Sequence, residues 1–408
     1  MLNVVIFNGG RGAASLIPAL LAREGLNVTS VVNAYDDGKS TGAIRRFFGM
    51  LGPSDIRKVQ QLMLPDDDID RAAHLELFRY RFPAGCARSR ALEEIEGFAK
   101  RKTSKIAGHD FSNKMIVNAL RVFLERFLTG LELAERARGE QFDFSNCSLM
   151  NCVYAGAFLC FNRNIETATL YMDKLFKLKG TVLPTSIENK ILVAQRSNGE
   201  MLYCEADIVE LRSNVRIDRI YLLDQPLDPK AFESLDREAK ERYLQQHHCF
   251  VSISGGVGLA LRQADIIIYS AGTQHSSLYP TYMSVGLADG IAANKRALKV
   301  FITNIGADYE TPSYVASDYL LGAYRYLLLS TSRQIGMPEL FDAVLINDVD
   351  SAADENYVKY DHAAFDDLPV EKIVADFELA MSHGKHDGEK LARTILGLYE
   401  SKSMKSLS

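Results

Sequence analysis

The sequence has no excess of basic charge, no long apolar run and no paired cysteines, and each lack removes a class of function. Its 47 Lys and Arg residues face 52 Asp and Glu, a formal net charge of −5. That balance is not the electrostatic footprint of a nucleic-acid or anionic-membrane binder. No apolar stretch approaches the ~20 residues that a membrane-spanning helix requires. The six cysteines, Cys86, Cys147, Cys152, Cys160, Cys204 and Cys249, include no C-x-x-C pair, and no histidine lies at zinc-finger distance from one. Three of them fall in an apolar, helix-like stretch, where a free cysteine packs as a small hydrophobe. No Ser-His-Asp or Cys-His set has a spacing that supports covalent nucleophilic catalysis. Internal repeats and low-complexity tracts are also missing. A strand opens the chain with no leader-like segment before it, so a reduced, cytoplasmic protein is expected.

What is present is an ordinary globular composition, 47% apolar and 24% charged over 408 residues. That length suits one large α/β domain with a helical addition, or two domains. Asn3 to Phe7 is a short, nearly all-apolar run ending in Asn8-Gly9-Gly10, the pattern of a strand buried on both faces of a parallel sheet. A helical pattern follows over Ala13 to Arg23, interrupted by Pro18, and Val28 to Ala34 is a second buried strand. From about Ser54 to Phe161 the pattern is helical, with long helices over Ile116 to Ala137 and Met150 to Phe161. The charged stretch Arg81 to Lys105, ahead of both, reads as a solvated helical face or a mobile loop. Strand signals return at Thr181 to Leu183, Lys190 to Ala194 and Val215 to Leu222, the latter two antiparallel in character. Parallel-type strands follow at Ala264 to Tyr269, Leu298 to Thr303 and Ala343 to Ile346, and the tail after about Glu371 reads as helical.

The expected fold is therefore α/β: a Rossmann-like parallel sheet with flanking helices and a helical insertion. Residues 1–50 and 180–350 form the core, 51–179 the insertion, and 351–408 a helical extension. Ligands of such sheets bind beyond the carboxyl ends of the strands. Four polar loops gather there. Gly9, Gly10, Arg11 and Gly12 follow the first strand, where glycines let backbone N–H groups reach a phosphate at a helix N-terminus. A tight turn would need glycine equally, and Ser15 stands where a dinucleotide fingerprint has its third glycine. Tyr35 to Gly42 follows the second strand. Its Gly38-Lys39-Ser40 ends like a P-loop, but Asn33 occupies the place of the required first glycine. There remain the adjacent carboxylates Asp36 and Asp37 beside Lys39, Ser40 and Thr41. They suit a hard cation such as Mg²⁺, a turn, or ribose hydrogen bonding. The third loop holds Gly272, Thr273, Ser276 and Ser277, and the fourth begins at Asn304. Further along, Asp55 reads as a helix cap and Arg57 as a surface ion-pairing group, while Asp110 or Ser112 caps the long helix.

The order of these motifs resembles the 2-phospho-L-lactate transferase, or CofD-like, family. The resemblance rests on the glycine loop, AYDDGKSTGAIRRFFGMLGPSDIRK, FRYRFPAG, GHDFSN, GTVLPTS and ADIIIYSAGTQHSSLYP, in sequence from Asn3 to Asn304. That family includes archaeal enzymes of deazaflavin cofactor synthesis and bacterial gluconeogenesis factors that bind UDP-sugars, and the spelling here is nearer the bacterial branch. The resemblance implies a nucleotide held between the glycine loop and residues 271–277. It also implies Asp36 and Asp37 as Mg²⁺ ligands, Asp37 and Asp55 as catalytic residues, and Arg57 and Asn113 as ligand contacts. Arg11, Lys39, Phe111, Ser112 and the 271–274 loop depart from the family's usual residues, and Lys39 is placed to form a salt bridge with the acidic pair. Two functions follow as expectations. One is Mg-assisted transfer of a phosphate-linked group from a nucleoside-diphosphate-type donor to a hydroxyl; the other is a non-catalytic nucleotide-sugar-binding regulator of carbon metabolism or the cell envelope. A homodimer is compatible with either.

Overall fold

A computed structural model describes residues 1–10, 12–348 and 356–407. Among the described residues the chain forms ten strands: β1 (Leu2–Asn8), β2 (Leu26–Val32), β3 (Thr181–Pro184), β4 (Ile191–Arg196), β5 (Met201–Leu202), β6 (Ile217–Leu223), β7 (Ile266–Tyr269), β8 (Leu298–Ile302), β9 (Ala343–Asn347) and β10 (Glu371–Ala375). Seven of them form one sheet in the order β10-β9-β8-β7-β1-β2-β3, every neighbouring pair parallel. Val4 to Asn8 of β1 are buried, as a strand covered on both faces requires. Successive strands run outward from β1 in one direction to β3, and the chain then returns to the other side of β1 for β7 to β10. The reversal opens a crevice at the carboxyl ends of β1 and β7, the usual ligand position in a doubly wound sheet.

The insertion between β2 and β3 is helical, as its apolar periodicity predicts. Helices Lys114–Arg138 and Leu149–Cys160 pack so closely that a Cβ at Gly156 would lie 1.8 Å from the Phe123 carbonyl oxygen. Leu149 to Phe158 are all buried, which explains why this helix reads as apolar all round. Cys147 and Cys152 sit in that interior with their sulfurs 3.9 Å apart, the packing role expected of them. The charged stretch contributes an amphipathic helix, Arg88–Ala99, with Ala91, Ile95 and Phe98 turned inward. Strands β4, β5 and β6 make a separate antiparallel sheet with its own small core of Val193, Tyr221, Phe232 and Leu244.

Two local readings are corrected. The helix after β1 is confined to Leu16–Leu21, so Pro18 falls in its first turn, where a missing N–H costs nothing. The loop after β1 therefore runs on to Ser15, and the expected helix N-terminus does not stand at Gly12. The tail is not helical from Glu371. Residues Glu371–Ala375 form β10 on the edge of the main sheet, and a helix follows at Gly388–Leu407. An edge strand with Glu371 and Val374 exposed shows little of the apolar signature that marks central strands. The described part of 351–408 thus completes the core sheet and is no appended helical unit. Its helix crosses Leu16–Leu21, with the Gly388 backbone against the Ser15 carbonyl.

The contact at Gly156 yields a direct test of the insertion's packing. Gly156→Ala is expected to destabilise the protein by about 1–3 kcal/mol, the range for overpacking a tight interior. Urea unfolding would show this as a lower midpoint.

Candidate functional site

The crevice is a cleft of about 1040 Å³ walled by the loops after β1, β2, β7 and β8 and by part of the tail. The loop after β1 is anchored from inside the sheet, where Asn8 accepts a hydrogen bond from the Ser30 hydroxyl at 2.6 Å. Its glycines are required by close approach. A Cβ at Gly12 would lie 2.2 Å from the Ala271 carbonyl oxygen, and one at Gly10 would lie 2.3 Å from Asp55 Oδ1. Bare backbone therefore touches both the β7 loop and the helix Ser54–Leu62 that carries Asp55. Arg11 lies outside the described residues.

Three carboxylates face this backbone. Asp36 accepts the Gly38 N–H at 3.0 Å and lines the cleft. Its pKa is raised by burial and then by the nearby Asp55 charge. Asp55 lines the cleft too, paired with Lys58 at 2.7 Å. The third, Glu205, opens the short helix Glu205–Glu210 beside the small sheet and accepts the Asp37 N–H at 3.0 Å. Burial, followed by the charges of Asp36 and Asp55, pushes Glu205 up to about 8. A row of carboxylates this poorly solvated and this mutually repelling favours either protons or a cation.

Other expected residues stand behind the cleft. Asp37 does not line it; its carboxylate faces Arg45 at 3.6 Å, and burial raises its pKa against that pairing. Arg45, not Lys39, is thus the cation of the acidic loop. Lys39 is exposed, with no ion pair among the described residues, and its backbone has φ +44°. That left-handed conformation favours glycine. Ser40 and Thr41 are buried, both within reach of the Asn151 amide at 3.3 and 3.4 Å. Arg57 is buried as well, bonded to Asn151 Oδ1 at 3.1 Å and the Phe78 carbonyl at 2.8 Å. Burial and the Arg81 charge bring its pKa down to about 10. It is neither a surface group nor a lining residue: with Ser40, Thr41 and Asn151 it fastens the acidic loop to the insertion. Asn113 caps the long helix by accepting the Met115 N–H at 3.0 Å, beside Asp70, and stands outside the cleft. The cap is Asn113, where Asp110 or Ser112 was expected.

Gly272, Thr273, Ser276, Ser277 and Asn304 do line the cleft. The Asn304 side chain clamps Gly272 from both sides, accepting its N–H at 2.9 Å and donating to its carbonyl at 3.1 Å. Beyond Gly272 the chain makes a short π-helical turn, Gln274–Leu278. Its leading N–H groups, His275 and Ser276, donate at 3.0 and 2.9 Å to one oxygen of Glu310, and the Ser276 hydroxyl donates at 2.5 Å to the other. These donors are therefore taken by an internal carboxylate. Burial, then Asp308, pushes Glu310 up to about 8.

Sequence reasoning missed Glu205, Glu310, Asp308, Lys58 and His386. Glu205 follows an antiparallel strand, so a search confined to loops after parallel strands passes over it. Glu310 lies six residues beyond Asn304, and only the fold shows it turning back to the π-helical turn. His386 reaches the cleft from the tail and donates to the Thr303 carbonyl at 3.0 Å; burial lowers its pKa to about 4.

No set of three His, Cys, Asp or Glu side chains converges at metal-binding distance among the described residues. The described residues alone make no closed cage. The donor set instead fits a cation of the Mg²⁺ kind, which takes one or two carboxylates and completes its shell with ligand phosphates and water.

Fold and site together define a doubly wound α/β protein with an acidic cleft at its switch point. The family model described as "2-phospho-L-lactate transferase CofD" matches residues 4–378, and the chain belongs to that family. It is 25% identical over 405 residues to a protein of Listeria monocytogenes named gluconeogenesis factor, covering 97% of this chain and 95% of the other. A gluconeogenesis factor of Halalkalibacterium halodurans is 24% identical over 319 residues, 78% of this chain and 71% of the relative. Among solved structures, a Bacillus halodurans protein described as a member of the UPF0052 family superposes with a TM-score of 0.65 at 21% identity, over 97% of this chain and all of that one. No helix among the described residues is long and apolar enough to cross a membrane.

The raised carboxylates make stability depend on pH. Glu205 holds its proton to about 8 in the fold but only to about 4.5 when unfolded. The folded state thus binds more protons between these values, and stability falls as pH rises through that window. Glu205→Gln removes this contribution. Unfolding midpoints measured at pH 5 and pH 8 are expected to differ less in the variant than in the wild type.

Proposed function

We propose that the cleft binds a phosphorylated nucleotide ligand together with Mg²⁺ and transfers a phosphate-linked group from it to a hydroxyl acceptor. The observation that carries this reading is the meeting of Asp36, Asp55 and Glu205 with the glycine loop at the sheet's switch point. Phosphates set against bare backbone need N–H donors, which Gly9, Gly10 and Gly12 can offer, and the adjoining carboxylates need a counter-charge. A cation shared between the two satisfies both. Asp36 and Asp55 would hold it, and when bound it would neutralise charge developing on the phosphoryl oxygens. Asp37, facing Arg45, has a positioning part: it shapes the loop that presents Asp36.

The transfer needs no covalent enzyme intermediate. The acceptor oxygen forms a bond to phosphorus, the bond from phosphorus to the nucleoside-phosphate oxygen breaks, and the hydroxyl proton passes to a carboxylate, for which Asp55 is placed. Lys58 supplies positive charge beside the same phosphates. Catalysis of this kind rests on positioning and electrostatic stabilisation.

One observation favours a second reading, a nucleotide-sugar-binding regulator without turnover. Glu310 already occupies the donors of the π-helical turn, so that turn offers a donor phosphate less than a transferase loop would. The name gluconeogenesis factor, carried by the relatives, points the same way.

Calorimetric titration with GDP, GTP and UDP-N-acetylglucosamine, with and without Mg²⁺, separates the two. Transfer chemistry predicts Mg²⁺-dependent binding that Asp36→Asn weakens by at least about tenfold, the scale of one charge-assisted contact. UDP-sugar binding that ignores both Mg²⁺ and Asp36→Asn overturns it in favour of the regulator.

A further inference from the structure

A second cavity, of about 600 Å³, lies on the other side of the π-helical turn. It is bounded by the start of β6, the helix Ala316–Leu328 and the turn itself, where the small sheet meets the main body. Ser276 faces the first cleft, while the neighbouring His275 lines this one, so a single turn of chain forms the partition.

Its lining is rich in hydrogen-bond donors. Arg216 and Arg325 stand at the rim, their side chains about half exposed, and Tyr279 and Tyr326 stack at 4.2 Å inside. His275 and Tyr279 are each only 1% exposed, and neither His275 Nδ1 nor the Tyr279 hydroxyl has a hydrogen-bond partner. Buried polar atoms left unpaired cost free energy and call for an explanation. The Tyr326 hydroxyl accepts the Ile220 N–H at 3.2 Å and still carries its own proton to give. The carboxylates present are already engaged. Asp318 pairs with Arg216 at 3.1 Å and Asp218 with Arg325 at 3.9 Å, each using only part of a five-donor guanidinium. Burial holds the His275 pKa near 3 against the raising influence of the Glu310 and Ile217 backbone carbonyls, so its ring is neutral at physiological pH. A cation would find no uncommitted carboxylate here, whereas an oxyanion meets guanidinium and hydroxyl donors together.

We propose that this cavity is a second ligand site, for a compact oxyanion of the phosphate or carboxylate class, with Arg216, Arg325 and Tyr326 as donors and Tyr279 and His275 at its floor. The site does not depend on what occupies the cleft. An occupant here rests against the same turn whose N–H groups Glu310 holds, which places it where it can bias the neighbouring loop.

The test is calorimetric titration of the full chain with inorganic phosphate and, separately, with malonate. Saturable binding of at least one is expected, weakened by about tenfold or more in the double variant Arg216→Gln/Arg325→Gln and in His275→Phe, and retained in Lys58→Gln, which alters only the cleft. Preference between the two probes tells a phosphate-bearing occupant from a carboxylate one. The rim arginines are half exposed, so the double variant should keep the fold, which far-ultraviolet circular dichroism checks. Absence of saturable binding of both anions, or binding that survives the arginine variant and is lost with Lys58→Gln, overturns the proposal.

Discussion

Carboxylates buried close together repel one another and lose their hydration, and the edge of this sheet is arranged around that cost. Asp36, Asp55 and Glu205 converge from three separate elements: the loop after β2, the helix following it, and a short helix beside the small sheet. Their mutual electrostatic influence shows that these elements are held together by something stronger than the repulsion. That restraint is visible. Arg45 reaches the Tyr35 and Lys190 carbonyls, tying the acidic loop to the approach to β4, while Arg57 and Asn151 tie it to the insertion. The insertion and the small sheet thus act as braces that keep the acidic loop against the glycines.

Glu310 shows the opposite solution to the same problem. It is fully buried but surrounded by donors: two backbone N–H groups and a serine hydroxyl. One turn of chain thereby has its donors satisfied by an internal carboxyl group, while the glycines of the adjoining loop after β1 line the cleft with no such internal partner among the described residues. The two halves of the switch point are not equivalent, although glycine- and serine-rich sequence made them look alike. On the proposed function, this asymmetry leaves Gly9, Gly10 and Gly12 as the side that takes a phosphate, and makes the π-helical turn a pre-set side.

Most of the fold was legible because its signals are local. Each central strand is a short apolar run, and Lys114–Arg138 and Leu149–Cys160 repeat at helical spacing. β10 escaped because an edge strand buries little, and the helix after β1 was overextended because Pro18 reads as an interruption when it is a beginning. The candidate cleft was legible where loops after parallel strands line it: Gly9, Gly10, Asp36, Gly272, Ser276 and Asn304 reach it. Asp37, Ser40, Thr41 and Arg57 are next to it in sequence but turn away, a distinction that one residue of register decides. Glu205, Glu310 and His386 come from elements whose position only tertiary structure supplies. Asn113 shows the converse error, since a residue carried over by motif serves here as a helix cap.

The central claim is that the carboxylates at the switch point share a cation with ligand phosphates resting on the glycine loop. Its most direct test is a crystal structure with bound nucleotide and Mn²⁺ in place of Mg²⁺, read by anomalous scattering. The account predicts an anomalous peak coordinated by Asp36 or Asp55 and by phosphate oxygens that lie against Gly9, Gly10 and Gly12. A nucleotide bound in the cleft with its phosphates on the π-helical turn and no cation at the carboxylates would contradict it.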